Sequence, residues 1–180
     1  HRSILYLYMQ NDGIVFFTAT CLNWQPLLFH DSRKQIVLDS LEFLVTENRI
    51  WLYAFVIMPN HIHLLWRKKE KWIEKDVQLM FLRYTAQQIK FQMIDSNQSS
   101  ELALYKSTQG DRDFHFWKRK PYKAEMYNRK VATQKVDYIH YNPVKAGLCE
   151  MPEDYWFSSA RFYELNQDDF GFLTHYMEHL

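Results

Sequence analysis

The chain has 180 residues, of which 47% are hydrophobic and 17% aromatic, and its formal net charge at pH 7 is +1. These values fit one globular domain with a sizeable core and exclude a low-complexity chain. Two isolated cysteines exclude a disulfide framework, and no apolar run reaches the roughly 20 residues of a membrane span, so we expect a cytoplasmic protein without a membrane partner.

The charge is unevenly distributed along the chain. Residues 1–149 carry a balance of +7 and residues 150–180 a balance of −6. A basic body favours a polyanionic partner, although an ordinary solvated surface would look the same. We interpret residues 1–163 as one domain and residues 164–180 as an acidic extension, which is either a solvated tail or a shield for the basic face.

The first half of the chain predicts three strands and one helix. Residues 13–22 are rich in β-branched and aromatic residues and predict a strand. Asp31 and Ser32 can cap a helix that runs to about Asn48. The apolar run 50–58, the turn signal at Pro59 and Asn60, and the stretch 61–67 predict a β-hairpin.

The second half predicts two further helices and one strand. Residues 77–94 have helical periodicity, residues 95–113 are polar and predict a mobile loop, and residues 114–117 predict a short fourth strand. Asn128 can cap a third helix over about 129–141, which Pro143 should stop. The order β-α-β-β-α-β, followed by a helix, predicts an α+β, ferredoxin-like split βαβ fold, with a mainly antiparallel sheet and helices on one face.

His61 and His63 predict a metal site on the third strand. Side chains two positions apart in a strand point to the same face, so both imidazoles can reach one ion while Ile62 packs on the other face. Imidazole is the commonest protein metal ligand. The alternative is a pair of ordinary, half-exposed histidines.

A polar stripe marks the third predicted helix. Gln134, Tyr138 and Asn142 follow one another at one-turn spacing and therefore share a face. The alternative is that Tyr138, one of twelve tyrosines, is a packing residue with its hydroxyl at the surface.

Cations alternate with aromatic rings in two stretches, residues 66–72 and 117–123. Cations meet phosphates and rings stack on unpaired bases, which favours single-stranded nucleic acid as a ligand. The alternative is a solvated edge whose rings turn into the core. The candidate DNA-binding residues are Trp66, Arg67, Lys118, Arg119, Lys120, Tyr122 and Lys123, together with Lys135 on the third helix.

Two long motifs resemble those of the single-tyrosine transposases. Residues 58–65 resemble the His-hydrophobic-His motif of that family. Residues 138–148, followed by 152–161, resemble the tyrosine helix and tail of its REP-associated branch. Residues 16–18 resemble the first strand, and residues 116–117 the segment before the tyrosine helix. The resemblance covers about residues 13–163.

The resemblance implies an activity and a set of residue roles. It implies that Tyr138 is the nucleophile, that His61 and His63 are ligands of Mg²⁺ or Mn²⁺, and that Asn142 completes the metal site, where some relatives have Gln or Glu. The implied reaction is nicking and strand transfer of single-stranded DNA through a 5′-phosphotyrosine intermediate, in transposition or in processing of repeated hairpin elements. The implied partner is hairpin-bearing single-stranded DNA. Related transposases work as two-fold dimers whereas the REP-associated branch can act as monomers, so the sequence leaves a homodimer open.

The sequence is also compatible with two other functions. A non-catalytic module that binds single-stranded nucleic acid would bind without metal and without His61. A metal-dependent nuclease that uses water would cleave DNA without a protein–DNA adduct.

Overall fold

A single four-stranded antiparallel sheet organises the molecule in the computed structural model, which describes residues 13–180. The strands are β1 (Ile14–Thr20), β2 (Ile50–Ile57), β3 (His61–Lys68) and β4 (Tyr122–Met126), in the spatial order β2-β3-β1-β4. The hairpin between β2 and β3 closes where the Met58 amide donates to the His61 carbonyl at 2.8 Å. This order confirms the predicted α+β split βαβ fold.

Five helices accompany the sheet within the described residues: α1 (Asp31–Thr46), α2 (Val77–Asp95), α3 (Ser99–Leu102), α4 (Arg129–Lys145) and α5 (Ala160–Glu164). The predicted cap of α4 is confirmed, because the Val131 amide donates to the Asn128 side chain at 3.0 Å. No helix in residues 13–180 combines the length and the apolar composition that crossing a bilayer requires.

Helices cover both faces of the sheet. α1 and α2 pack on one face, the α1/α2 face, against Phe17, Ile62, Leu64 and Trp66. α4 packs on the opposite face, the α4 face, where Val136 and Ile139 meet Phe16 and Leu65. The two helices of the βαβ unit therefore share one face, as predicted, and the tyrosine-bearing helix lies across the sheet from them.

The predicted fourth strand at residues 114–117 is wrong, because β4 lies five residues further along. Phe114 and Trp117 form only isolated bridges, with Lys106 and Cys21. The apolar pattern of this stretch reflects burial, since Phe116 and Trp117 are 3% and 5% exposed. β4 is an edge strand with mostly exposed side chains, so it lacks the apolar run that marks a central strand.

The tyrosine helix does not end before Pro143. α4 continues to Lys145 with Pro143 inside it, and the Ala146 amide donates to the Asn142 carbonyl at 3.1 Å. Proline lacks the amide hydrogen that would bond to the Ile139 carbonyl. The Pro143 ring is nevertheless buried, so packing keeps this residue within the helix. Asn142 therefore keeps its helical position one turn after Tyr138.

Part of the predicted mobile loop is ordered. Residues 95–113 contain α3 and the buried Leu102 and Tyr105. The buried guanidinium of Arg33 on α1 holds Glu101 through two bonds of 2.6 and 2.7 Å. The hydrogen bonds and charge of Arg33 lower the pKa of Glu101. This pair ties the segment to α1.

The C-terminal segment covers the outer edge of β2. The Ile57 amide donates to the Phe157 carbonyl at 2.9 Å, and the Thr174 amide donates to the Leu52 carbonyl at 3.0 Å. Further on, Tyr176 is buried on the α4 face, with its hydroxyl 2.6 Å from Thr133 Oγ1. The last residues thus pack against the strand edge and against α4.

Candidate active site

A cluster of two imidazoles and one amide lies on the α4 face at the start of β3. His61 and His63 point to this face because they alternate with the buried Ile62. His61 Nε2 lies 3.3 Å from Asn142 Oδ1, and His63 Nε2 lies 3.1 Å from Asn142 Nδ2. α4 therefore brings the Asn142 amide against both ring nitrogens, and these three side chains could hold a cation.

The outer ring nitrogens of both histidines have polar partners. His63 Nδ1 lies 2.7 Å from Thr18 Oγ1, and His61 Nδ1 lies 2.7 Å from Asn60 Oδ1. A neutral His63 that donates from Nδ1 carries its lone pair on Nε2, which accepts from the Asn142 amide. His61 Nε2 instead faces Asn142 Oδ1 and donates to it, and a bound cation would take the place of that hydrogen. Sequence reasoning missed the role of Thr18, since only the strand register places it opposite His63.

Both imidazoles are neutral at physiological pH. Burial lowers the pKa of His63 to about 3, with smaller contributions from the positive charge of Lys135 and from His61 when it is protonated. Burial also lowers the pKa of His61, against a smaller opposing effect of its hydrogen bond to Asn142. A neutral ring has a lone pair that can bind a metal ion, whereas a protonated ring has none.

Tyr138 lies beside this cluster and is accessible to solvent. Its side chain is 42% exposed, and its ring centroid is 5.2 Å from that of His63. The ammonium groups of Lys135 and Lys145 lie 5.3 and 5.7 Å from the centre of the ring. The structure thus brings together the four residues Tyr138, His61, His63 and Asn142, which are far apart in the sequence.

The helix that carries Tyr138 is fixed on the sheet of its own chain. His140 is 1% exposed, and its Nε2 lies 2.8 Å from the buried Ser159 Oγ. Toward the start of α4, Thr133 meets the Tyr176 hydroxyl, and the Arg129 guanidinium donates to the Leu180 carbonyl at 2.7 Å. His140 therefore joins α4 to the segment that leads into α5.

The candidate DNA-binding residues divide into two groups. Lys118, Arg119, Lys120, Tyr122 and Lys123 are exposed on the loop before β4 and at its start. The Tyr122 ring lies 6.1 Å from Phe16, the residue that also contacts Tyr138. Sequence reasoning missed two further cations, Arg83 and Arg112, which line a cleft of about 660 Å³ together with Lys118–Lys120.

Trp66 is buried, which corrects its assignment as a DNA-binding residue, whereas the DNA contact of Arg67 stays a prediction. Trp66 is 4% exposed and packs on the α1/α2 face against Phe17 and Phe81, so no base can stack on it. Arg67 is half-buried near the Tyr53 hydroxyl, four residues and therefore about 13 Å along β3 from His63.

Comparisons with known proteins agree with the sequence motifs. A curated protein of Haemophilus influenzae, named as a REP-associated tyrosine transposase, is 31% identical over 106 residues, which are 59% of this chain. The matched part is 56% of the length of that relative. No protein-family model matches the chain.

A solved structure has the same fold. It is described as a REP-associated tyrosine transposase bound to a REP hairpin, and it matches with a TM-score of 0.61 at 21% identity. The match covers 92% of this chain and 93% of the other. The resemblance to REP-associated tyrosine transposases is therefore confirmed, in sequence by the curated relative and in fold by the solved structure.

Proposed function

We propose that this protein nicks and rejoins single-stranded DNA next to a hairpin, through a covalent link between Tyr138 and a 5′-phosphate. The observation that carries this proposal is the position of Tyr138, an accessible phenol whose ring lies 5.2 Å from that of His63. A packing tyrosine with its hydroxyl at the surface would be equally exposed but would need no polar neighbours. This one borders a cluster of polar groups and two lysines.

His61, His63 and Asn142 would hold a divalent cation. The 3.3 Å between His61 Nε2 and Asn142 Oδ1 is close to the roughly 3 Å that separates adjacent ligands around an ion with bonds of about 2.1 Å. Within residues 13–180, no further His and no Cys, Asp or Glu lies close enough to bind an ion together with His61 and His63. The side chains that would hold the ion are therefore uncharged. Such a set leaves ligand positions for oxygens and suits Mn²⁺ or Mg²⁺ better than a closed structural zinc site. A bound cation supplies Lewis-acid stabilisation of charge on the phosphoryl oxygens and orients the phosphate.

Tyr138 would act as the nucleophile. Its oxygen forms a bond to the phosphorus, the bond from phosphorus to the 3′-oxygen breaks, and a free 3′-hydroxyl leaves with a proton. A free phenol is mostly protonated near neutral pH, so attack requires stabilisation of the phenolate. The ammonium groups of Lys135 and Lys145, 5.3 and 5.7 Å from the centre of the ring, would place positive charge near the phosphate that is attacked. The reverse reaction with another 3′-hydroxyl rejoins a strand without an external energy source.

The substrate would approach along the α4 face. Tyr122 presents an exposed ring on this side of the sheet, and the preceding cations Lys118–Lys120 would continue the path around the β4 edge into the cleft beside α2. Rings that stack on unpaired bases and cations that meet phosphates are the usual elements of single-strand recognition. The hairpin in the solved relative supports a hairpin as part of the substrate.

A denaturing gel tests this proposal. The protein is incubated with a labelled hairpin that carries unpaired flanks, with Mn²⁺ or with a chelator. We expect a covalent adduct with Mn²⁺ only, and none from Tyr138→Phe. Tyr141→Phe is the matched control, because Tyr141 is equally exposed one turn further along α4 and should leave the adduct intact.

The two other functions give different results in the same gel. Cleavage of the DNA without an adduct would indicate a nuclease that uses water. Metal-independent binding with neither cleavage nor adduct would indicate a binding module. Either result would contradict the proposal.

A further inference from the structure

An exposed tryptophan stands on an unusual turn directly after β1. Leu22–Trp24 forms a short 3₁₀ turn, and the Trp24 side chain is 60% exposed. Asn23 and Trp24 have φ values of 52° and 56°, a backbone conformation that bulky side chains rarely adopt. Burial in the core does not explain the strain, since the ring is largely in solvent. Strained backbone of this kind concentrates at ligand-binding sites.

The turn is held in place between two parts of the candidate active site. On one side, the Cys21 amide donates to the carbonyl of Asn60, the residue next to His61, at 2.9 Å. On the other side, the Leu22 amide donates to the Phe116 carbonyl at 2.8 Å, and the Lys118 amide donates to the Thr20 carbonyl at 2.7 Å. These bonds fix the position of Trp24 between the start of β3 and the exposed residues Lys118–Lys120, which we call the cationic loop.

The distance to the cluster is short. Thr20 is paired with His61 in the sheet, and Trp24 lies four residues beyond it. Four residues span at most about 14 Å, and the step across the sheet from Thr20 to His61 adds about 5 Å, so Trp24 lies within about 20 Å of the cluster. A flank of a few nucleotides is long enough to cover this separation.

The charge beside Trp24 identifies the kind of ligand. Lys118, Arg119 and Lys120 are all exposed where the cationic loop joins the turn. An apolar protein partner would gain nothing from three adjacent cations. A single strand of nucleic acid would use the cations for its phosphates and the Trp24 ring for a base.

We propose that Trp24 is a stacking platform for an unpaired base next to the hairpin, and that the neighbouring Lys118–Lys120 loop holds the phosphates of the same strand. This inference rests on the proposed function for the identity of the substrate, but it concerns binding and not the chemistry of Tyr138. The face of an aromatic ring stacks on any base, so Trp24 would bind the unpaired flank irrespective of the flank's sequence.

Fluorescence anisotropy tests the platform without any cleavage. Two labelled hairpins are compared in the presence of a chelator, one with four unpaired nucleotides on each side and one blunt. We expect Trp24→Ala to weaken binding of the flanked hairpin by about 5- to 150-fold, the range for loss of one stacked base, and to leave the blunt hairpin unaffected. Trp24→Phe keeps a ring and should stay within about threefold of the wild type on the same scale.

Trp156→Ala is the matched control for this experiment. Trp156 is also exposed, at 46%, but it packs beside Phe170 near the opposite edge of the sheet. The Trp156→Ala variant should bind both hairpins like the wild type. Quenching of intrinsic fluorescence by a flanked hairpin gives a second measurement, and it should be reduced in Trp24→Phe.

Two results would overturn the platform. One is wild-type affinity of Trp24→Ala for the flanked hairpin. The other is an equal loss for the flanked and the blunt hairpins, since the contact would then not be to an unpaired base. Failure of the Tyr138 adduct gel leaves both measurements interpretable, because they are made without metal and without cleavage.

Discussion

The two faces of the sheet differ in what they bury. The α1/α2 face is apolar from end to end, with Phe17, Ile62, Leu64 and Trp66 under the helices. The α4 face is apolar at one end, around Phe16 and Leu65, but carries His61 and His63 at the other. Alternation along a single strand, β3, produces both surfaces. One face therefore forms a continuous apolar core, and the other leaves polar side chains at one end.

Mixing two inactive variants tests whether the α4 face holds a complete site in each chain. Because contacts within one chain fix α4 on its own sheet, Tyr138→Phe and His63→Ala should form no adduct when combined. The measurement is the adduct gel on the mixture and on each variant alone. Recovery of adduct in the mixture would show that two chains exchange the tyrosine helix.

Substitutions on the two faces should separate stability from activity. Leu64→Ala creates a cavity in the α1/α2 core and should lower the free energy of unfolding by about 2–5 kcal/mol, while the folded fraction still forms adduct. His61→Ala should abolish adduct and lower the free energy of unfolding by less, about 1 kcal/mol. Urea denaturation measures both. Equal destabilisation by the two changes would remove the distinction between the faces.

Thr18 should affect the cation without contacting it. Thr18→Val removes the hydroxyl partner of His63 Nδ1 and should weaken Mn²⁺ binding about 10- to 100-fold. Thr18→Ser keeps the hydroxyl and should bind like the wild type. Titration of Mn²⁺ followed by electron paramagnetic resonance measures the affinity of each variant. Unchanged affinity in Thr18→Val would show that the hydroxyl does not orient His63.

The smallest expected effect is on thiol reactivity. Burial on the α1/α2 side raises the pKa of the Cys21 thiol to about 12, so the reactive thiolate is scarce until the pH approaches that value. A thiol reagent at pH 8 should label Cys149 slowly, since burial and the nearby Asp154 and Glu153 also raise its pKa, and should label Cys21 only after unfolding. Rapid labelling of Cys21 in the native protein would show that this face opens.

Short-range patterns in the sequence predicted the parts of the site that depend on one element. The spacing of His61 and His63 in a strand, and of Tyr138 and Asn142 in a helix, fixed which side chains share a face. The same alternation also predicts that Trp66 is buried, because it has the parity of Ile62. Its position beside Arg67 and Lys68 nevertheless made it resemble a DNA contact.

Contacts between distant segments could not be read from the sequence. The pairing of Thr18 with His63 depends on strand register, and the burial of His140 depends on Ser159 in the C-terminal segment. The position of β4 was missed because an exposed edge strand carries no apolar signal. The continuation of α4 past Pro143 depends on tertiary packing that outweighs the local preference of proline.

The most direct test of the central claim is the identity of the residue that carries the DNA. Trypsin should release Val136–Lys145 from a trapped adduct, a peptide that contains both Tyr138 and Tyr141. We predict that fragment-ion mass spectrometry finds the nucleotide on Tyr138. A nucleotide on Tyr141, or DNA cleavage with this peptide unmodified, would contradict the account.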